Sequence, residues 1–167
     1  RRTDMMEYYT LWAHQIKTPI AAMGLLLQTE PHPLNNELSS ELFRIQQYVD
    51  MVLGYLRMDG GSTDYVLRRY DLDSIIKQGA RKFAPQFIRK KISLQYEPVH
   101  AQVLTDEKWL LFVIEQLLSN AIKYTPHGTI SIYLEDPLNL VIQDTGIGIQ
   151  PEDLPRVFEK GYTGYNG

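Results

Sequence analysis

The sequence predicts an α+β protein in which a helical hairpin, forming a dimeric four-helix bundle, is followed by a two-layer α/β sandwich. Residues 4–58 carry apolar side chains at helical spacing, residues 58–64 (MDGGSTD) form a glycine-rich break, and strand-like and helix-like segments alternate after it. A change of period at a flexible segment indicates two domains, at residues 1–60 and 61–167.

The composition excludes several classes of function. Of the 167 residues, 44% are apolar and 22% are charged, as in folded globular proteins. The net charge of −3 predicts no nucleic-acid partner, and the absence of cysteine excludes disulfides and thiolate metal sites. No apolar run approaches the roughly 18 residues that a membrane-spanning helix needs. The chain lacks an initiator methionine and ends in a glycine-rich stretch, so we expect both ends to be cuts in a longer protein.

Both predicted helices of the first domain carry an apolar seam whose members are alternately four and three residues apart. Pro31 and Pro33 end the first helix, and Asn35 or Asn36 can cap the second. One hairpin would leave much of this seam in water, whereas two hairpins close a four-helix bundle, so we predict a homodimer. The alternative is that the seam packs on the rest of its own chain. The seam residues are Tyr9, Ala13, Ile16, Ile20, Met23 and Leu27 in the first helix and Leu38, Leu42, Ile45, Val49, Val52 and Leu56 in the second.

The second domain mixes strands with two amphipathic helices. The helices are predicted at about residues 71–87 and 106–124, and a short third helix is predicted after Pro151. Segments rich in β-branched residues predict five strands, at residues 65–70, 91–97, 101–104, 128–135 and 138–144.

Acidic and hydroxyl side chains stand where these two helices begin. Asp71 or Asp73 can cap the first helix, and Thr105 or Asp106 can cap the second, by accepting a hydrogen bond from a first-turn amide.

The first helix places a histidine on its outer face. With Ala13 and Ile20 at heptad position a, His14 falls at b and Thr18 at f, outside the seam. The two are four residues apart and share one exposed patch. Pro19 removes a hydrogen bond from the helix interior, so we expect a bend just past the histidine. An exposed histidine is commonly only a solvated residue, so periodicity alone leaves the role of His14 open.

Three side chains share one face of the helix in EQLLSNAIKYTPHG, residues 115–128. Asn120, Lys123 and Tyr124 are spaced i, i+3 and i+4. An amide oxygen suits Mg²⁺, a lysine supplies a point charge for phosphate, and an aromatic ring can cover a base or ribose. The three residues therefore fit a metal-bound nucleotide, with a polar surface patch as the alternative.

A strand runs into DTGIGI, residues 144–149, where Asp144 precedes Gly146 and Gly148. The glycines allow a tight turn with close backbone approach, and the carboxylate can accept a hydrogen bond from an exocyclic amine such as that of adenine. The segment VFEKGYTGYNG that follows, residues 157–167, predicts a mobile lid in which Lys160 can reach a phosphate; a disordered end is the alternative for its last residues.

These segments, in this order, resemble the motifs of bacterial sensor histidine kinases. HQIKTPI resembles their H box, SNAIKYTPHG their N box, DTGIGI their first glycine box, and VFEKGYTG their phenylalanine box and lid. The resemblance covers essentially the whole chain. It implies a dimerisation and histidine-phosphotransfer domain followed by an ATP-binding domain of the gyrase/Hsp90/histidine-kinase type. HQIKTPI together with FEKGYTGYNG is also similar to the kinases that partner peptide-antibiotic transporters in Gram-positive bacteria.

The resemblance implies an activity, cofactors and partners. His14 would be phosphorylated by ATP and would pass the group to an aspartate of a response regulator, and Thr18 would orient a water that dephosphorylates the regulator. ATP and Mg²⁺ would be the cofactors. The partners would be a second copy of the chain, the regulator, an upstream membrane sensor segment and a transporter, which places the chain in the cytoplasmic part of a bacterial membrane protein. The implied nucleotide contacts are Asn120 for Mg²⁺, Lys123 for phosphate, Asp144 for adenine, and Gly146 and Gly148 for close backbone approach.

The sequence departs from the family pattern at three points. Gln15 stands where many relatives carry an acidic base beside the histidine, so we predict that it orients the imidazole without taking a proton. Gln116 stands where the ATPases that use water carry glutamate, so little free hydrolysis is expected. The second glycine box, the last helix and the last strand are missing, so the sandwich is expected to lack its C-terminal end. Gln15 and this truncation favour the alternative, a dimeric nucleotide-binding module without phosphotransfer.

Overall fold

The computed structural model describes residues 2–29, 31–59, 65–159 and 162. The chain divides into two compact units, Arg1–Val66 and Leu67–Gly167. This division falls shortly after the boundary predicted at residue 60, and residues 60–64 of the glycine-rich segment lie outside the described part. None of the described helices is long and apolar enough to cross a bilayer.

The first unit is a hairpin of two long helices, α1 (Arg2–Thr29) and α2 (Asn35–Asp59). Asn35 lies in the first turn of α2, where its side-chain amide donates a 2.8 Å hydrogen bond to the carbonyl of Leu27 and closes the connection. Helix α1 continues through Pro19. The helices run antiparallel, since Gly24 lies against Leu42 near the connection and Lys17 pairs with Asp50 farther along.

Part of the predicted seam forms the interior of this hairpin. Ala13 and Ile20 of α1 are buried against Val49 and Leu53 of α2, and the partly buried Ile16 and Leu42 pack beside them. On α2 the predicted Val49 and Leu56 are buried, but Leu53, which is 3% exposed, takes the place predicted for Val52, which is 36% exposed. Four other seam residues are 44–51% exposed: Tyr9, Met23, Leu38 and Ile45. A single hairpin therefore leaves much of its apolar seam uncovered.

The described residues of the second unit form two α-helices and five strands, and this two-layer α/β architecture confirms the predicted fold class. Strand β1 (Arg68–Asp71) pairs antiparallel with β3 (Gln102–Thr105), while β4 (Gly128–Glu135) pairs parallel with β2 (Ile92–Tyr96) and antiparallel with β5 (Asn139–Asp144). The predicted short helix after Pro151 is reduced to a three-residue 3₁₀ turn, Leu154–Arg156, which contains Pro155. In chain order the elements are β1 (Arg68–Asp71), α3 (Leu72–Lys90), β2 (Ile92–Tyr96), β3 (Gln102–Thr105), α4 (Glu107–Tyr124), β4 (Gly128–Glu135) and β5 (Asn139–Asp144).

Both helices of this unit begin at predicted aspartate caps. The Asp71 carboxylate accepts from the amide of Asp73 at 3.3 Å, and the Asp106 carboxylate accepts from the amide of Trp109 at 3.1 Å. Helix α3 ends where Lys91 takes a left-handed conformation, with φ of 54°. These caps fix where the two helices begin against the sheet.

The core of the second unit lies between the helices and the three-stranded sheet. Ile130 and Ile132 of β4 are buried, as are Phe83 of α3 and Leu118 of α4. Gly79 brings the helices close, since a Cβ there would lie 3.1 Å from a methyl group of Ile114. Helices α3 and α4 are thus held side by side at a fixed spacing.

A buried carboxylate fixes the connection between β2 and β3. Asp73 is 5% exposed and accepts hydrogen bonds from the amides of Val99 and His100, at 2.9 and 2.8 Å, and from the Tyr96 hydroxyl. Burial alone would raise the pKa of this carboxyl, but the two amide hydrogen bonds, together with nearby charged groups, lower the pKa below its ordinary value.

Candidate nucleotide-binding site

A cleft of about 420 Å³ opens between the C-terminal half of α4 and the chain that follows β5. Its walls come from α4, from the end of β5, from the glycine turn and from the segment around the 3₁₀ turn. The lining residues are Leu117, Asn120, Ala121, Tyr124, Ile142, Asp144, Ile147, Gly148, Ile149, Gln150, Asp153, Val157 and Tyr162.

The α4 wall presents the amide of Asn120 and the ring of Tyr124 one helical turn apart. Ala121 between them also lines the cleft, whereas Ile114, Leu118 and Ile122 of the same helix are buried in the core. Lys123 is exposed and does not line the cleft. Its ammonium group donates to the Tyr124 hydroxyl at 3.1 Å and lies 4.8 Å from the centre of that ring.

The opposite wall is the end of β5, where Ile142 and Asp144 face the cleft because they are two residues apart on a strand. One carboxylate oxygen of Asp144, Oδ1, accepts from the amide of Gly146 at 2.8 Å. This contact orients the carboxylate, while its second oxygen, Oδ2, has no part in the contact.

Each glycine of the turn is required for a different reason. A Cβ on Gly146 would lie 2.3 Å from the carbonyl oxygen of Tyr124, so the turn is packed directly on the end of α4. Gly148 has a φ of +71°, with nothing within 4 Å of its Cβ position, so it is needed for its backbone conformation alone. Between them, the amide of Ile147 donates to the Tyr124 carbonyl at 3.0 Å.

The remaining wall is held by contacts of Tyr162, whose hydroxyl donates to the Asp153 carboxylate and whose ring stacks under the Arg156 guanidinium at 4.1 Å. The hydrogen bond to Asp153 raises the pKa of the Tyr162 hydroxyl. Phe158, next to this wall, is 98% exposed.

The structure brings together four of the residues predicted for the nucleotide site: Asn120, Tyr124, Asp144 and Gly148 line one cleft. Lys123 and Gly146 do not line the cleft, and Lys160 lies outside the described residues. Their roles toward a nucleotide stay predictions.

Sequence reasoning missed several lining residues, among them Ile142, Gln150, Asp153 and Tyr162. Ile142 could have been found from strand alternation with Asp144. The other three lie in irregular chain, where no period predicts which side chains turn inward.

On the first unit, His14, Gln15 and Thr18 are all exposed on α1, as the heptad placement predicts. Lys17, one turn from His14, pairs with Asp50 of α2 at 2.6 Å. This ion pair and the buried Ala13 fix the rotation of α1 so that the histidine faces outward.

A family model described as "Histidine kinase-, DNA gyrase B-, and HSP90-like ATPase" matches residues 105–167, which include every residue that lines the cleft. Among solved structures, full-length ShkA in complex with AMPPNP has a TM-score of 0.58 at 22% identity, covering 88% of this chain and 35% of that one. The histidine kinase AdeS of Acinetobacter baumannii has the same TM-score at 21% identity, covering 86% of this chain and 78% of that one. At these identities the likeness shows the fold. The fold, the cleft and the family model define the second unit as an ATPase domain of this class.

Curated relatives extend the match over both units. Sensor protein BceS of Halalkalibacterium halodurans is 36% identical over 156 residues, which is 91% of this chain and 47% of that protein. Sensor protein kinase GraS of Staphylococcus aureus is 35% identical over 164 residues, which is 92% of this chain and 46% of that protein. The chain belongs to the sensor histidine kinase family, in the group that includes BceS and GraS. It spans about half the length of the curated relatives it matches.

Proposed function

We propose that this chain binds ATP in the cleft beside α4, transfers the γ-phosphoryl group to His14, and passes it from there to an aspartate of a response regulator. The observation that carries the proposal is the meeting of Asn120, Tyr124 and Asp144 in one cleft of an ATPase domain, in a chain that also exposes a histidine on α1. The relatives BceS and GraS are named as sensor proteins, which supports a signalling role.

Asp144 is the residue proposed to select adenine. Because the amide of Gly146 holds Oδ1, the carboxylate is oriented so that Oδ2 can accept a hydrogen bond from the exocyclic amine of adenine. Ile142 and Ile147 offer apolar surface to the faces of the base. Guanine carries a carbonyl at the position of that amine and would place two acceptors against each other, so ATP is favoured over GTP.

The cleft presents the carboxylates of Asp144 and Asp153, so a triphosphate needs a cation with it. The exposed amide of Asn120 offers the oxygen ligand that Mg²⁺ prefers. Among the described residues no group of three or more His, Asp or Glu side chains could hold a metal ion. We therefore propose that Asn120 binds Mg²⁺ together with phosphate oxygens and water, and that Lys123 and Lys160 contribute charge toward the phosphates.

The chemical step needs positioning more than covalent help from the protein. The lone pair of a neutral imidazole nitrogen of His14 attacks the γ-phosphorus, the bond between phosphorus and the bridging oxygen breaks, and its electron pair leaves with ADP. The other ring nitrogen keeps its proton or passes it to water. Gln15 accepts a hydrogen bond that holds the imidazole tautomer, since a carboxamide takes no proton at pH 7.

Gln15→Leu should therefore slow phosphorylation of His14 by roughly tenfold without weakening ATP binding, because only the orientation of the imidazole is lost. Initial rates of label incorporation at saturating ATP measure the effect, with Gln28→Leu, an exposed glutamine farther along α1, as the matched control. A Gln15→Leu rate equal to wild type would remove this role.

The second activity and the partners follow the same proposal. Thr18 shares the exposed patch with His14 and would orient the water that dephosphorylates the regulator. The uncovered seam residues of the hairpin support a homodimer. An upstream membrane sensor segment and a transporter partner are proposed from the kinship with the BceS and GraS group alone.

The experiment that tests the function is incubation of the full-length protein with γ-labelled ATP and Mg²⁺. Acid-labile, base-stable label is expected on the chain, and His14→Ala should abolish it while leaving nucleotide binding intact. Bound nucleotide without any label would instead favour a dimeric nucleotide-binding module without phosphotransfer, the alternative that Gln15 in the place of an acidic residue supports.

A further inference from the structure

The last turn of α4 has its carbonyl groups bound from outside the helix. The final four carbonyls of a helix have no partner within it. Here the Lys90 ammonium group, from the end of α3, donates to the carbonyl of Ile122 at 2.5 Å and approaches that of Lys123 at 3.4 Å. The next carbonyl, of Tyr124, accepts from the Ile147 amide of the glycine turn at 3.0 Å. The last turn of α4 is therefore held on one side by Lys90 of α3 and on the other by the glycine turn that lines the nucleotide cleft.

We propose that Lys90 is a positioning residue for the nucleotide site, which acts by holding the end of α4 against the glycine turn. Asn120 and Tyr124 lie within the last turn and a half of α4, so their orientation toward Asp144 depends on where that turn sits. The inference rests on the proposed function, because it concerns the same cleft.

A lysine suits this place for two physical reasons. The carbonyl end of a helix carries partial negative charge, so a cation there is stabilising. The lysine stem is also long enough to bring the ammonium group from the last residue of α3 to two carbonyls of α4. Burial and the neighbouring charge of Arg89 lower the pKa of Lys90, as expected for an ammonium group held among protein groups.

A second lysine joins the same two helices without reaching the cleft. Lys82 lies about two turns earlier on α3 and pairs with the Glu115 carboxylate at 2.6 Å. Glu115 does not line the cleft. Removing either ammonium group breaks one link between α3 and α4 and changes the net charge equally, but only Lys90 binds the turn that carries Tyr124.

The test compares Lys90→Met with Lys82→Met in the full-length protein, using AMPPNP with Mg²⁺ as the probe in calorimetry. Lys90→Met is expected to weaken binding roughly tenfold. Lys82→Met should lower the midpoint of thermal unfolding and leave the dissociation constant within about twofold of wild type. Lys90→Arg, which keeps a charged donor, should restore most of the affinity. Equal dissociation constants for the two methionine variants would overturn the inference.

Hydrogen exchange of the Ile147 amide in the nucleotide-free chain provides a second readout that needs no ligand. Lys90→Met should speed this exchange roughly tenfold relative to Lys82→Met, because the carbonyl of Tyr124 is less firmly held. If the full-length wild-type protein fails to bind AMPPNP, the proposed function fails, and this exchange rate still decides the role of Lys90. Should Lys90→Met not fold, Lys90→Gln takes its place in both comparisons, and unchanged exchange would again contradict the proposal.

Discussion

Two aspartates of the second unit show how differently a carboxylate can be used. Asp73 is buried and receives three hydrogen bonds, from two amides and a hydroxyl, so its acceptor capacity is directed at the fold. Asp144 is exposed in the cleft and is oriented by a single amide contact at one oxygen. Asp73 therefore stabilises the fold, whereas Asp144 keeps a carboxylate oxygen available for a ligand.

Asp73→Asn should destabilise the second unit by about 2 kcal/mol, because an amide nitrogen would then face the amides that Asp73 accepts from. The carboxyl pKa in the folded state is lowered from 3.8. Its contribution to stability is therefore fully present above pH ~4 and is lost as the pH falls through the folded-state value. Urea unfolding at pH 7 and at pH 3 measures both effects, with the exposed Glu97→Gln as control. A wild-type advantage over Asp73→Asn that stayed the same at both pH values would contradict the account.

At the scale of elements, the end of α4 and the glycine turn form one structural unit. The turn donates the Ile147 amide to the helix end, and Gly146 leaves no room for a side chain between them. The cleft therefore exists because a strand end, a turn and a helix end meet, and a change in any of them should alter it.

Gly146→Ala should cost about 3 kcal/mol of stability and also disrupt nucleotide binding, because its Cβ would lie 2.3 Å from a backbone oxygen that cannot move alone. Gly148→Ala places a Cβ in open space, so we expect it to lower the free energy of unfolding by only about 1 kcal/mol, the cost of a left-handed backbone at alanine. Thermal unfolding of the two variants side by side measures the difference. Equal destabilisation by the two alanines would show that the contact with α4 is unimportant.

The helix boundaries of the second unit could be predicted where they depend on residues that are adjacent in sequence. Asp71 and Asp106 cap the helices as predicted, because a cap depends only on neighbouring amides. The contacts of Lys90 and Tyr162 could not be predicted, because they join segments that are distant in sequence or irregular in structure. Leu53 is buried in the hairpin where the sequence predicted Val52, because the buried positions depend on packing between the two helices, and a heptad pattern read from one helix does not determine that packing.

At the scale of the whole molecule, the first unit does not bury its apolar surface by itself. Beyond the uncovered seam residues, Leu25 and Leu26 near the end of α1 are 66% and 68% exposed. Exposed apolar area of this kind is typical of an interface. From this surface we predict a homodimer.

Ile45→Lys should weaken the homodimer at least tenfold, because it places a charge in the predicted seam at a side chain that is 46% exposed in the single chain. Sedimentation equilibrium measures the monomer–dimer constant, with Ser39→Lys on an exposed position of the same helix as the charge control. Unchanged association in Ile45→Lys would favour packing of the seam elsewhere.

The central claim is that the cleft between α4 and the glycine turn is where ATP binds, with Asp144 reading the base. Calorimetric titration of wild type and Asp144→Asn with ATP and with GTP, both with Mg²⁺, tests it most directly; Glu135→Gln, an exposed substitution at the end of β4, is the control. The account predicts that wild type prefers ATP and that Asp144→Asn loses roughly 30-fold or more in ATP affinity, because the carboxylate oxygen that accepts from the adenine amine is lost. Equal ATP affinity in wild type and Asp144→Asn would contradict it.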